Sequence, residues 1–172
     1  MSKRLAKIMF GLTMVWVVVV MVATGAQAQV NAMSGKATLK YTTRTSVPVG
    51  DVEGHALGVG EASGPNVNTG KWDFMSGATA TSFGITDLTK GNGSQSGYFI
   101  LSKEGNKTVA KVTGTIKTIL SPEGKPLTSM SGEWKYVMCA GVYAGCTGQG
   151  VYQGSFLSQD EYVVEFKGIL VQ

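Results

Sequence analysis

The sequence predicts an all-β protein, a barrel or sandwich of about eight short strands, on three observations. Apolar and polar residues alternate in short segments separated by turn clusters. Glycine is abundant, 24 residues in 172, about twice the ~7% of average usage, while proline is scarce. After residue 28 no stretch sustains the 3.6-residue period of an amphipathic helix. Closure into an eight-stranded antiparallel β-barrel is the favoured form because it removes exposed sheet edges. Glycines inside strands also suit the sharp corners of a small barrel.

The first element is not part of that fold. Residues 1–28 read as a signal peptide: Lys3, Arg4 and Lys7, an apolar run from Ile8 to Ala23, then small residues at Ala26 and Ala28. Cleavage between Ala28 and Gln29 would leave 29–172 as a single barrel domain, periplasmic or secreted. An uncleaved membrane anchor is the alternative, although the run is shorter than the ~20 apolar residues a spanning helix usually needs. On the cleaved reading the leader is the only membrane contact.

The strands follow in order. Ala37–Thr45 alternates, and the proline in "SVPVGD" breaks it. "VEGHALGVGEASG" comes next, then "KWDFMS" and "TATSFGITDL" as shorter candidates, and "GNGSQSG" as a turn cluster. "GYFILSK" and "KTVAKVTGTIKTIL" form a hairpin about "EGN". "SPEGKP" turns into "SGEWKYVM", "GQGVYQGSF" and "EYVVEFKGILV". In the last, Tyr162, Val164, Phe166 and Leu170 share one face.

Charge excludes one class of partner. The chain has 15 Lys+Arg and 11 Asp+Glu, and three of the bases lie in the leader, leaving 12 against 11. No basic stripe remains to neutralise phosphates, so no nucleic-acid role is expected. Cys139 and Cys146 are a disulfide candidate in an oxidising compartment, with two small buried thiols as the alternative. Two cysteines alone do not make a metal site, since structural zinc takes four ligands, and no cofactor is expected. "GQGVYQG" lacks the Lys-Ser/Thr of a phosphate loop and is one residue too long for a dinucleotide fingerprint.

A family pattern accounts for those glycines. Trp134 followed by Gly141, Tyr143, Gly145, Gly148, Gly150, Tyr152 and Gly154 resembles the C-terminal signature of secreted bacterial proteins with an allene oxide cyclase-like barrel. These are related in fold to plant allene oxide cyclases and dirigent proteins. The resemblance implies an eight-stranded, calycin-like barrel with a cavity, and a homo-oligomer, a trimer in the plant relatives. It carries over no catalytic site, and this chain departs from the pattern at Cys139 and Cys146. On this reading the glycines are barrel bends and the tyrosines between them are wall residues.

Two groups are candidates for chemistry. If "DVEGHALGVGE" is a strand, Asp51, Glu53, His55 and Glu61 share a side, and an imidazole among carboxylates could hold a divalent metal or supply an acid–base pair; the plainer reading is a solvated edge. Tyr98, Trp134, Tyr136, Tyr143, Tyr152 and Tyr162 suit a pocket lining, and equally the packing of a β-core. Glu133 and Glu165 would matter if they faced inward. No nucleophile motif is present. Asn92 and Asn106 lie in glycosylation sequons. Three functions fit: binding of a small apolar or amphipathic ligand in the barrel, a cyclase or isomerase that uses a shaped pocket, and an envelope interaction or structural module.

Overall fold

The computed structural model describes residues 28–172. The expected leader, apart from Ala28, lies outside the described residues. Eight strands run β1 (Val30–Pro48), β2 (His55–Asn68), β3 (Thr79–Thr89), β4 (Asn92–Lys103), β5 (Asn106–Leu120), β6 (Pro126–Ala140), β7 (Thr147–Phe156) and β8 (Glu161–Val171). Each pairs antiparallel with its sequence neighbours, and β1 pairs with β8 from Val30↔Val171 to Lys40↔Glu161. The sheet is therefore a closed barrel, as expected, and has no free edge.

Alternation sets the wall. In β8, Tyr162, Val164, Phe166 and Leu170 are buried, while Glu165 faces out and meets Lys36 at 3.0 Å. Glu133 is likewise exposed, so neither carboxylate enters the barrel. Lys90–Gly91 and Glu104–Gly105 join β3 to β4 and β4 to β5, each with both residues at positive φ. That is the two-residue turn whose twist matches a hairpin. The expected turn cluster "GNGSQSG" is corrected accordingly. Only its first glycine turns, and Asn92–Gly97 is strand, paired on both sides with β3 and β5.

"KWDFMS" is not a strand. Met75 (φ 51°) and Gly77 (φ 74°) bend the β2–β3 connection into the barrel end. Phe74 is 1% exposed there, with ring centroids 5.2 Å from both Trp72 and Tyr143 and 6.4 Å from Tyr136. Buried Asn66 holds this plug by donating from Nδ2 to the Met75 carbonyl at 2.9 Å. The β6–β7 connection lies beside it, a single 3-10 turn at Gly141–Tyr143 stapled by the Cys139–Cys146 disulfide, Cα–Cα 5.7 Å. Gln29 and Gln172 hydrogen-bond to each other at the same end. The opposite end, formed by residues 49–54, 90–91, 121–125 and 157–160, has no such plug.

Candidate functional site

Between plug and open end lies a cavity of about 1160 Å3. Met33, Leu101, Thr108 and Tyr136 line its depths, and Gly54, Gly91, Pro126 and Leu157–Gln159 its mouth. The lining contains no Asp, Glu or His. Among the described residues no Asp, Glu or His is buried anywhere.

The shape of the wall comes from aromatic side chains laid over glycines of neighbouring strands. Gln95↔Gly114, Gly114↔Gly132 and Gly132↔Tyr152 form one row across β4, β5, β6 and β7. A Cβ at Gly114 or Gly132 would overlap the Tyr152 hydroxyl and a neighbouring backbone carbonyl. With both positions bare, the Tyr152 phenol reaches from β7 to β4 and accepts a 2.8 Å hydrogen bond from Gln95 Nε2. Two residues further along β6, Trp134 lies over Gly150 of β7 and Gly168 of β8 in the same way. Its indole N–H donates to the Val151 carbonyl at 3.2 Å. Gly148 and Gly154 face Tyr136 and Met130.

This divides the glycines into two kinds. Gly148, Gly150 and Gly154 are inward-facing seats for large side chains, within extended strand. Gly141 (φ 71°) and Gly145 (φ 78°) are turn residues, and Tyr143 between them belongs to the plug rather than the wall.

Trp134, Tyr136, Tyr152 and Tyr162 line the cavity. Tyr98 does not: it faces outward from β4 and is 46% exposed. Glu53, His55 and Glu61 also lie outside the lining. The strand begins only at His55, so Asp51 and Glu53 sit in the preceding turn, and the outward parity of β2 carries His55 and Glu61 away from the interior.

Asp51 and His55 nevertheless meet, joined by Asp87 of β3, which the sequence does not place beside them. His55 Nδ1 lies 2.5 Å from Asp51 and Nε2 lies 2.8 Å from Asp87. Carboxylates at both ring nitrogens favour the imidazolium, so the hydrogen bond to Asp51 and then that to Asp87 raise the His55 pKa. The bond from His55 lowers that of Asp51, helped by the Val52 backbone N–H. The cluster pins the β1–β2 turn to β3 at the mouth, beside a Lys90–Glu53 pair at 3.4 Å.

A raised His pKa stabilises the fold below the unfolded value of ~6.5 and ceases to do so as pH rises through the folded value. The lowered Asp51 value acts above ~4 and is lost on acidification. The cluster therefore supports the fold best between about pH 4 and 6.5. Urea midpoints at pH 5.5 and 8.5 should show a loss at the higher pH that His55→Gln reduces. An equal loss in both proteins would assign it elsewhere.

Several cavity groups carry no clear sequence signal. Arg44 is one: the β1 register shifts between Tyr41 and Thr43, so the inward parity changes and Arg44 turns to the cavity. Its guanidinium lies 5.0 Å from the centroid of the Tyr41 ring and donates to the Gln159 carbonyl at 3.1 Å. Gln95, inside the supposed turn cluster, is another. The phenols stay neutral at ordinary pH. Burial holds Tyr136 well above the usual phenol range and pushes Tyr162 up to about 12. Burial likewise raises Tyr41 and Tyr152, opposed by the Arg44 charge and by the Gln95 hydrogen bond respectively. The two sequon side chains are engaged in turns, Asn92 with the Thr118 N–H and the Lys90 carbonyl, Asn106 with the Val142 N–H. No protein-family model matches the chain, and no curated protein matches it.

Proposed function

We propose that this protein is exported and binds a small apolar or amphipathic molecule inside the barrel. The observation that carries the binding reading is a cavity of about 1160 Å3, open at one end and plugged at the other, lined mainly by aromatic and aliphatic side chains with Ser, Thr and Gln set among them. Ligand sites are commonly lined in this mainly apolar way, and this volume is somewhat above their usual ~300–1,000 Å3. Export rests on the reading of residues 1–28, and the Cys139–Cys146 disulfide suits an oxidising compartment. The alternative of a cyclase or isomerase is less well supported. Its shaped pocket would act without a carboxylate or imidazole, since none lines the cavity and the phenols are held neutral.

Self-association is a second reading, favoured by the outer face of β2, β3 and β4. Val59 pairs with Ile85 and Phe83 with Tyr98, and with Leu57 these five are 41–60% exposed. They present on the order of 400 Å2 of apolar surface, within the range of patches that are often functional. A second copy of the chain is the occupant that suits this face, in keeping with the trimer that the allene oxide cyclase resemblance implies.

Native mass spectrometry of the protein purified gently from its own host tests both readings. A stoichiometric extra mass lost on denaturation supports ligand binding, and the intact mass reports the oligomer. Apoprotein that also fails to enhance the fluorescence of the neutral dye N-phenyl-1-naphthylamine would sink the binding reading.

A further inference from the structure

We infer that the Gln95–Tyr152 pair is the recognition point of the cavity, and that it selects a neutral ligand carrying a hydroxyl or an amide. The inference rests on the cavity being a ligand site, and the experiment below separates the two. Both side chains line the cavity, and among the described residues each forms its side-chain hydrogen bond with the other. That bond uses one donor and one acceptor and leaves others free. With Gln95 donating, the Tyr152 O–H and the Gln95 Oε1 remain available, and with the amide turned the other way the amide N–H and a phenol lone pair remain. In either arrangement a donor and an acceptor stand side by side.

A hydroxyl or an amide answers both, an ether or ester only one. A ligand that leaves either group unpaired in such surroundings forgoes discrimination that a built polar site can supply.

Charge complements the argument. A ligand ammonium would meet no carboxylate, because none lines the cavity. A carboxylate beside Gln95 would lose hydration there without gaining a cation. The two cations of the lining, Arg44 and Lys117, are not beside it: Arg44 stands at the mouth, engaged with the Gln159 carbonyl of the β7–β8 turn, and Lys117 is exposed three residues beyond Gly114, the β5 partner of Gln95, toward the same end. The middle of the barrel is thus polar but uncharged. Trp134, Phe99, Val112 and Phe166, which also line the cavity, would cover the apolar remainder of the ligand.

The position is also built. Gly114 and Gly132 stand bare in two successive strands so that one phenol can cross them to one amide. Wall closure alone does not call for that reach, since Phe at 152 would cover the same surface.

Displacement of N-phenyl-1-naphthylamine by a matched ten-carbon series tests the inference. Decanol and decanamide are expected to displace the dye at concentrations about five- to tenfold lower than methyl nonyl ether, the difference one hydrogen bond of ~1 kcal/mol makes. Decylamine should be the weakest competitor. In the double variant Gln95→Leu/Tyr152→Phe, which lacks both groups, the ratio of ether to alcohol should fall below about twofold. Failure of the dye to bind would remove the ligand-site reading itself. Dye binding with alcohol and ether equal in the parent protein would overturn the inference. So would decanoate binding tightest and losing its advantage in Arg44→Gln, because the recognised group would then sit at the mouth.

Discussion

Gly132→Val is expected to destabilise the barrel by about 3–5 kcal/mol, combining overpacking with loss of a hydrogen bond. The first branch carbon would fall on the Thr113 carbonyl, which no side-chain rotation can move, and on the Tyr152 hydroxyl. The phenol must then leave the row and break its contact with Gln95. Gly84→Ala is the counterpart. Gly84 lies in the middle of β3 and also lines the cavity, but a Cβ there meets nothing within 4 Å. Losing glycine's freedom in the unfolded chain should make this change neutral or stabilising by up to about 1 kcal/mol. Urea unfolding of both variants checks the pair. Equal effects would mean that glycine content, rather than aromatic seating, governs these positions.

Phe74→Ala is expected to cost about 3–5 kcal/mol, the usual range for removing a fully buried aromatic side chain. Phe74 is the centre of the plug, in contact with Trp72 of its own connection, Tyr136 of β6 and Tyr143 of the β6–β7 connection. Neither the Asn66 hydrogen bond to the Met75 carbonyl nor the Cys139–Cys146 staple can refill that volume. Phe74→Leu keeps most of it and should lose less than half as much. A loss below about 1 kcal/mol for alanine would show that the connection collapses around the gap and that the plug is loosely held. Urea midpoints of the three proteins decide this.

How much of this was legible depended on how local the signal was. Strand β8 could be read almost residue by residue, because an alternating run with charges on one face leaves one register that buries Tyr162, Val164, Phe166 and Leu170. The plug could not. A tryptophan and a phenylalanine two apart look like a strand, and only the left-handed backbone at Met75 and Gly77 turns them inward. Arg44 was hidden by a register shift two residues earlier, which local propensity does not reveal. His55 and Asp51 were visible as neighbours in sequence, but Asp87 joins them across the β2–β3 ladder. Glycine and aromatic residues were seen to alternate around 141–154, whereas the pairing of each aromatic with bare positions one and two strands away is a property of the closed sheet.

The closing ladder has a consequence for how the chain reaches this state. Seven of the eight strand pairings join segments that follow one another, while the β1–β8 pairing joins residues nearly the whole described length apart. The entropy of bringing chain ends together grows with the length between them, so the short-range ladders become favourable well before the seam does. Until the seam shuts, the sheet is an open ribbon with two unpaired borders. The same apolar alternation that later lines the interior is, in that interval, a surface on which another chain can pair. Speed of closure, rather than strength of any single contact, then governs how much of the newly made protein escapes aggregation.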